Sequence, residues 1–89
     1  MKIYYSSKFK REYKKLPLRV KEKSERNEVF FRKNPFDPKL GTHKLKGRLR
    51  NFWAFWIDGR YRIIFEFGDN DMVWFHSAGD HSIYELFRK

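Results

Sequence analysis

Residues 52–84 read FWAFWIDGRYRIIFEFGDNDMVWFHSAGDHSIY, three runs rich in aromatic and β-branched side chains cut by Asp58-Gly59 and by Gly68-Asp69-Asn70-Asp71. Runs this short, joined by connections this tight, are expected to pair as an antiparallel meander, because parallel neighbours need a crossover of roughly a dozen residues. Alternation along the middle run sends Tyr61, Ile63, Phe65 and Phe67 to one face and Arg62, Ile64 and Glu66 to the other. The first set reads as core, the second as a solvated or functional face. Arg62 stands out on that second face, since a guanidinium keeps its charge and is seldom buried without a partner. Glu66 or a neighbouring strand would give it a structural partner; a functional site is the alternative.

The chain of 89 residues is expected to be one domain, spanning 1–89. Its ten phenylalanines suit a single core, each buried Phe or Ile contributing roughly 1.5–3 kcal/mol. The absence of cysteine excludes disulfides, thiolate metal sites and thiol nucleophiles, and it fits a cytoplasmic protein. No apolar run approaches the roughly 20 residues needed to cross a bilayer, and the first residues lack a signal peptide's apolar stretch. A soluble protein with no membrane partner is expected. Lysine and arginine number 21 against 11 acidic residues, a net charge of +10. Such an excess favours a polyanionic partner, nucleic acid above all, bound in a salt-sensitive way.

Residues 2–5 (KIYY) form a short β-prone run, and Ser6 and Ser7 are candidate helix N-caps. Phe9, Tyr13 and Leu16 recur at helical spacing with lysine and arginine outside them, and Pro17 ends or kinks that helix. A second helix is expected over about 18–33, with an interrupted stripe through Leu16, Val20, Asn27 and Phe31. Two prolines in NPFDP at 34–38 break it. LGTHKLKGRLR at 40–50 then carries His43, Lys44, Lys46, Arg48 and Arg50, a density that suits a phosphate-facing edge better than a core. The fold class is therefore α+β: two N-terminal helices on one face of a small twisted, mainly antiparallel sheet, with a short C-terminal helix or tail. The open face would carry Arg62, be bordered by residues 43–50, and receive the C-terminal residues.

Taken together, LKG at 45–47 leading into FW at 52–53, YRIIFEF at 61–67 and GDHSIY at 79–84 resemble the RelE/ParE toxin superfamily. The resemblance is to its RelE-type members, the YafQ-, YoeB- and HigB-like messenger-RNA interferases of type II toxin–antitoxin systems. It covers nearly the whole chain and is sharpest from His43 to Tyr84. It implies a RelE-like fold and a ribosome-dependent endoribonuclease that cuts message in the ribosomal A site, touches ribosomal RNA and inhibits translation. It also implies a cognate antitoxin that would cover the basic surface with an acidic or amphipathic segment. Arg62 would contact the scissile phosphate, His43, Lys44 and Lys46 would assist it, and His81 and Tyr84 would complete the site. Where the YafQ branch places a histidine and an aspartate in the meander, this chain has Trp56 and Arg60.

RNA cleavage needs the 2′-hydroxyl deprotonated, the phosphorane stabilised and the departing 5′-oxygen protonated. His81 can act as base or acid. Arg62 with Lys44 or Lys46 can hold the extra charge, while Arg48, Arg50 and Arg60 add phosphate contacts. Tyr84 can donate a proton or stack on a base. No metal or other cofactor is expected, since Asp58, Asp69, Asp71 and Asp80 sit at turns and read as turn formers. His76 reads as a hydrogen-bonded sheet histidine, and Trp53, Trp56 and Trp74 read as core more than as base-stacking platforms. Two rival readings are a ParE-like DNA gyrase poison and a non-catalytic basic RNA- or ribosome-binding module.

Overall fold

The computed structural model describes residues 1–87; Arg88 and Lys89, which the sequence reading assigns to the C-terminal helix or tail, lie outside them. Ser6 ends the first strand, β1 (Lys2–Tyr5), and starts the first helix, α1 (Ser7–Lys14). Its Oγ accepts from the Phe9 N–H at 3.0 Å, satisfying one of the free donors of the first turn. Pro17, with φ of −57°, separates α1 from α2 (Leu18–Lys33). Leu16, between the helices, is buried beside Phe9 and Val20. The gap in the α2 stripe is filled by Ser24, small enough to be buried with Val20 and Phe31. Asn27 instead donates from Nδ2 to the carbonyls of Trp56 and Ile57.

Four further strands follow: β2 (His43–Lys44), β3 (Trp53–Trp56), β4 (Arg62–Phe67) and β5 (Met72–Gly79), and then α3 (Ile83–Phe87). The sheet order is β1-β5-β4-β3-β2, antiparallel except that β1 lies parallel to β5. The expected meander is β3-β4-β5, and the helices form the crossover that lets β1 run parallel to its far strand. The helices cover one face. Phe31 lies 4.9 Å from both Phe55 and Phe65 and 5.4 Å from Phe75, ring centre to ring centre, at the centre of the core.

Three expectations are corrected. Ile64 is fully buried, although alternation places it on the face away from the helices. Leu49 and Ala54, also buried and outside the helix-facing cluster, give that face an apolar floor of its own. A two-residue strand, β2, lies inside the basic segment, too short to leave a period in the sequence. Two of the three tryptophans are not core: Trp56 is 44% and Trp74 36% exposed, whereas Trp53 is half-buried and packs against the core as expected. The β5 strand also bulges. Ile64 pairs with Ser77 but Phe65 with Phe75, leaving His76 as the extra residue.

Beyond Tyr5 the edge of β5 has lost its strand partner, and side chains seal it. Ser6 Oγ donates to the His76 carbonyl at 3.0 Å, and the Glu12 carboxylate accepts from Ser77 Oγ at 2.7 Å and the Ala78 N–H at 3.1 Å. At the β3–β4 turn Asp58 Oδ1 accepts from the N–H groups of Arg60 and Tyr61, both at 2.8 Å. Partial burial pushes its pKa up, but those two N–H groups and the charges of Lys23 and Arg19 outweigh it and hold Asp58 below its ordinary value. A folded pKa below the unfolded one contributes stability above the unfolded pKa, lost as pH falls through the folded one. Asp58→Ala is expected to cost about 1–3 kcal/mol at neutral pH, and the gap from wild type should close below about pH 4. Urea unfolding of both proteins at neutral and acid pH measures this. No described helix is long and apolar enough to cross a membrane.

Candidate functional site

The face away from the helices is assembled from the register of the sheet. Arg62 is the cross-strand partner of Trp56 on β3 and of Gly79 on β5. Ala54 pairs with Ile64 and with His43, so His43 lies on the Arg62 face. Lys44 pairs with the half-buried Trp53, which packs on the helix-facing core, and so lies on the reverse face. His43 is exposed, with Nδ1 2.9 Å from the Gly41 carbonyl. The Trp56 ring covers Gly41, where φ is +59° and a Cβ would sit 2.5 Å from the indole.

Arg62 is half-buried, and its Nε is shielded from solvent without a hydrogen-bond partner. Glu66, the structural partner that the sequence suggests for it, is taken by His76, with Nε2 to Oε1 at 3.0 Å. The hydrogen-bonded sheet role read for His76 is the one observed. Phe52 meets the His76 ring edge-on at 5.3 Å.

The C-terminal turn folds back at the Arg62 end of the sheet. Gly79 permits this, because a Cβ there would lie 2.5 Å from Ile83 Cγ2. Asp80 accepts from the Ser82 N–H at 2.9 Å and from Ser82 Oγ at 2.6 Å, and these bonds, joined by the Arg60 and His81 charges, lower its pKa despite a small opposing effect of burial. The Arg60 guanidinium lies 3.9 Å from the Asp80 carboxylate and over the Tyr61 ring, tying the β3–β4 hairpin to this turn. Asp58 and Asp80 thus hold turns, as read from sequence. His81 is exposed, its ring 5.5 Å from that of Tyr84.

Tyr84 in turn closes a cleft of about 430 Å³ lined by Leu45, Lys46, Gly47, Arg48 and Leu49. Its hydroxyl is buried and without a partner. Arg50 is exposed, with Nη1 3.4 Å from the Gly47 carbonyl. The structure therefore brings Lys46, Arg48, Tyr84 and His81 together, puts Arg62 opposite the glycine that leads into the same turn, and sets Lys44 apart. Trp56 joins the Arg62 row; alternation along residues 53–56 is the signal that places it there. Among the described residues no group of three or more His, Asp or Glu side chains is placed to hold a metal ion.

This is a small basic α+β protein with a cleft that Lys46, Arg48 and Tyr84 line, and solved structures share its architecture. The YoeB/ParE toxin from Agrobacterium tumefaciens is 19% identical, with a TM-score of 0.77 over 91% of this chain and 99% of that one. A copper-bound mutant toxin from Helicobacter pylori is 29% identical, with a TM-score of 0.75 over 93% and 97%. The RelB–RelE antitoxin–toxin complex from Methanococcus jannaschii is 24% identical, with a TM-score of 0.74 over 94% and 98%. Neither protein-family models nor curated protein sequences give a match. The chain has the fold that these toxins of the RelE/ParE superfamily share.

Proposed function

We propose that the chain is the toxin of a type II toxin–antitoxin system and a ribosome-dependent messenger-RNA endonuclease. The observation that carries this reading is a pair of unsatisfied buried groups, Arg62 Nε opposite Gly79 and the Tyr84 hydroxyl in the turn that follows it, the latter beside Lys46, Arg48 and His81. Leaving a buried donor unpaired costs about 1–3 kcal/mol each, and a bound phosphodiester would supply the missing acceptors.

In the reaction the RNA 2′-oxygen attacks phosphorus as a base removes its proton. The bond from phosphorus to the 5′-oxygen breaks as an acid protonates the leaving oxygen, giving a 2′,3′-cyclic phosphate and a 5′-hydroxyl. Arg62 and Lys46 hold the phosphorane's added charge, and His81 and Tyr84 carry the proton transfers. His43, Arg48, Arg50 and Arg60 contact the flanking phosphates. Lys44, on the reverse face, takes no part in this step. A cognate antitoxin with an acidic or amphipathic segment would neutralise the cleft, as supported by solved toxins of this fold in complex with antitoxins. Pulsed expression tests the class of action: cut transcripts ending in cyclic phosphate support it, whereas DNA breaks with whole transcripts would favour gyrase poisoning.

A further inference from the structure

We propose a second RNA contact on the reverse face of the sheet, at an aromatic cluster of Phe36, Trp53 and Phe67 edged by lysines, reached by the same single strand passing around the β2 edge. The inference rests on the reading of the Arg62 face as an RNA site. Phe36 and Phe67 stack at 5.8 Å with 28° between their planes, and Trp53 meets them edge-on at 5.4 and 5.5 Å. Phe36 is 52% exposed against 38% for Phe67, so it is the outer ring of the stack and offers surface on which a base can continue it.

The loop that carries Phe36 is fixed. Its N–H donates to Asn34 Oδ1 at 3.0 Å, and Thr42 Oγ1 donates to the Pro35 carbonyl at 2.5 Å, tying the loop to the start of β2. Lys33 and Lys39 lie on its flanks in the chain, Lys39 with its ammonium 4.4 Å over the Phe30 ring, and Lys44 is the register partner of Trp53. None of the three is ion-paired with a carboxylate among the described residues. Arg32, Lys33, Pro35 and Phe67 line a cleft of about 300 Å³ whose one carboxylate, Asp71, is held by the N-terminal ammonium at 2.8 Å. Lysine is depleted at protein–protein interfaces and suits phosphate, which favours RNA over a protein partner here. With His43 on the Arg62 face and Lys44 on the reverse, the two-residue β2 edge presents a basic side chain to each side of the path.

The test is fluorescence anisotropy with uncleavable 2′-O-methyl oligouridylates of about 4 and about 12 nucleotides, lengths that span reported single-strand site sizes. Phe36→Leu, which keeps an apolar side chain but removes the ring, is expected to weaken the longer oligomer roughly fivefold or more and leave the shorter one unchanged. Phe36→Trp should restore wild-type binding. Lys44→Gln should lower the salt slope for the longer oligomer by about 0.7. Circular dichroism and thermal unfolding check the fold. Wild-type binding by Phe36→Leu, or equal weakening at both lengths, would overturn this contact alone. Failure of the wild-type protein to bind either oligomer would overturn the RNA reading of the Arg62 face together with it.

Discussion

Arg62→Met is expected to lower RNA cleavage steeply while making the fold more stable. Arg62 forms no ion pair among the described residues and its Nε is buried without an acceptor, so the free protein carries the cost of that desolvated donor. Methionine reaches as far as the arginine Nε, removes that polar atom and keeps an apolar stem. A gain of about 1 kcal/mol is expected, seen as a higher unfolding midpoint at unchanged slope. Loss of the guanidinium that stabilises the phosphorane should lower cleavage by roughly 10²–10³-fold, the scale for removing one donor aimed at developing charge. Stability and activity moving in opposite directions is the signature of a site preorganised for a ligand. A variant that lost stability along with activity would instead mark Arg62 as structural.

His81→Ala and Tyr84→Phe are expected to separate chemistry from folding in a second way. His81 is exposed and lies in a turn held by Asp80 and Ser82, whose bonds do not involve the imidazole. Its removal should change stability by no more than about 0.5 kcal/mol, yet lower cleavage by about 10²–10⁴-fold if it transfers a proton. Added imidazole should restore part of the His81→Ala rate. Tyr84→Phe deletes the unpartnered hydroxyl and keeps the ring that closes the Lys46–Arg48 cleft. RNA affinity should therefore persist as the rate falls. Full activity in both variants would remove these residues from the chemistry.

The residues that shape this site differ in how plainly they stand in the chain. Period-2 alternation and the turn residues mark β3, β4 and β5, and helical spacing with Ser6 and Pro17 marks the helices, because each follows from local sterics. Ile64 is buried on the face away from the helices beside its register partner Ala54, a pairing made only once β3 and β4 have folded together; no local period carries that. Likewise β2 exists through pairing with β3, and two residues are too few to alternate. Trp56 lies over Gly41, a contact between residues 15 positions apart that no local pattern marks. For the site, the density of basic residues at 43–50 was legible, but their division was not. The register of β2 sends His43 and Lys44 to opposite faces, and the 3₁₀ turn over Gly47–Leu49 brings Lys46 and Arg48 to Tyr84.

The central claim is that the Arg62 face cuts message during translation. Its most direct test is a primer-extension map of one defined messenger RNA in a cell-free translation system, with wild-type protein, Arg62→Met and His81→Ala. The account predicts new 5′ ends in phase with codons for the wild-type protein, absent when ribosomes are omitted and lost in both variants. Whole message in the presence of folded wild-type protein, or cuts that persist in both variants, would contradict it.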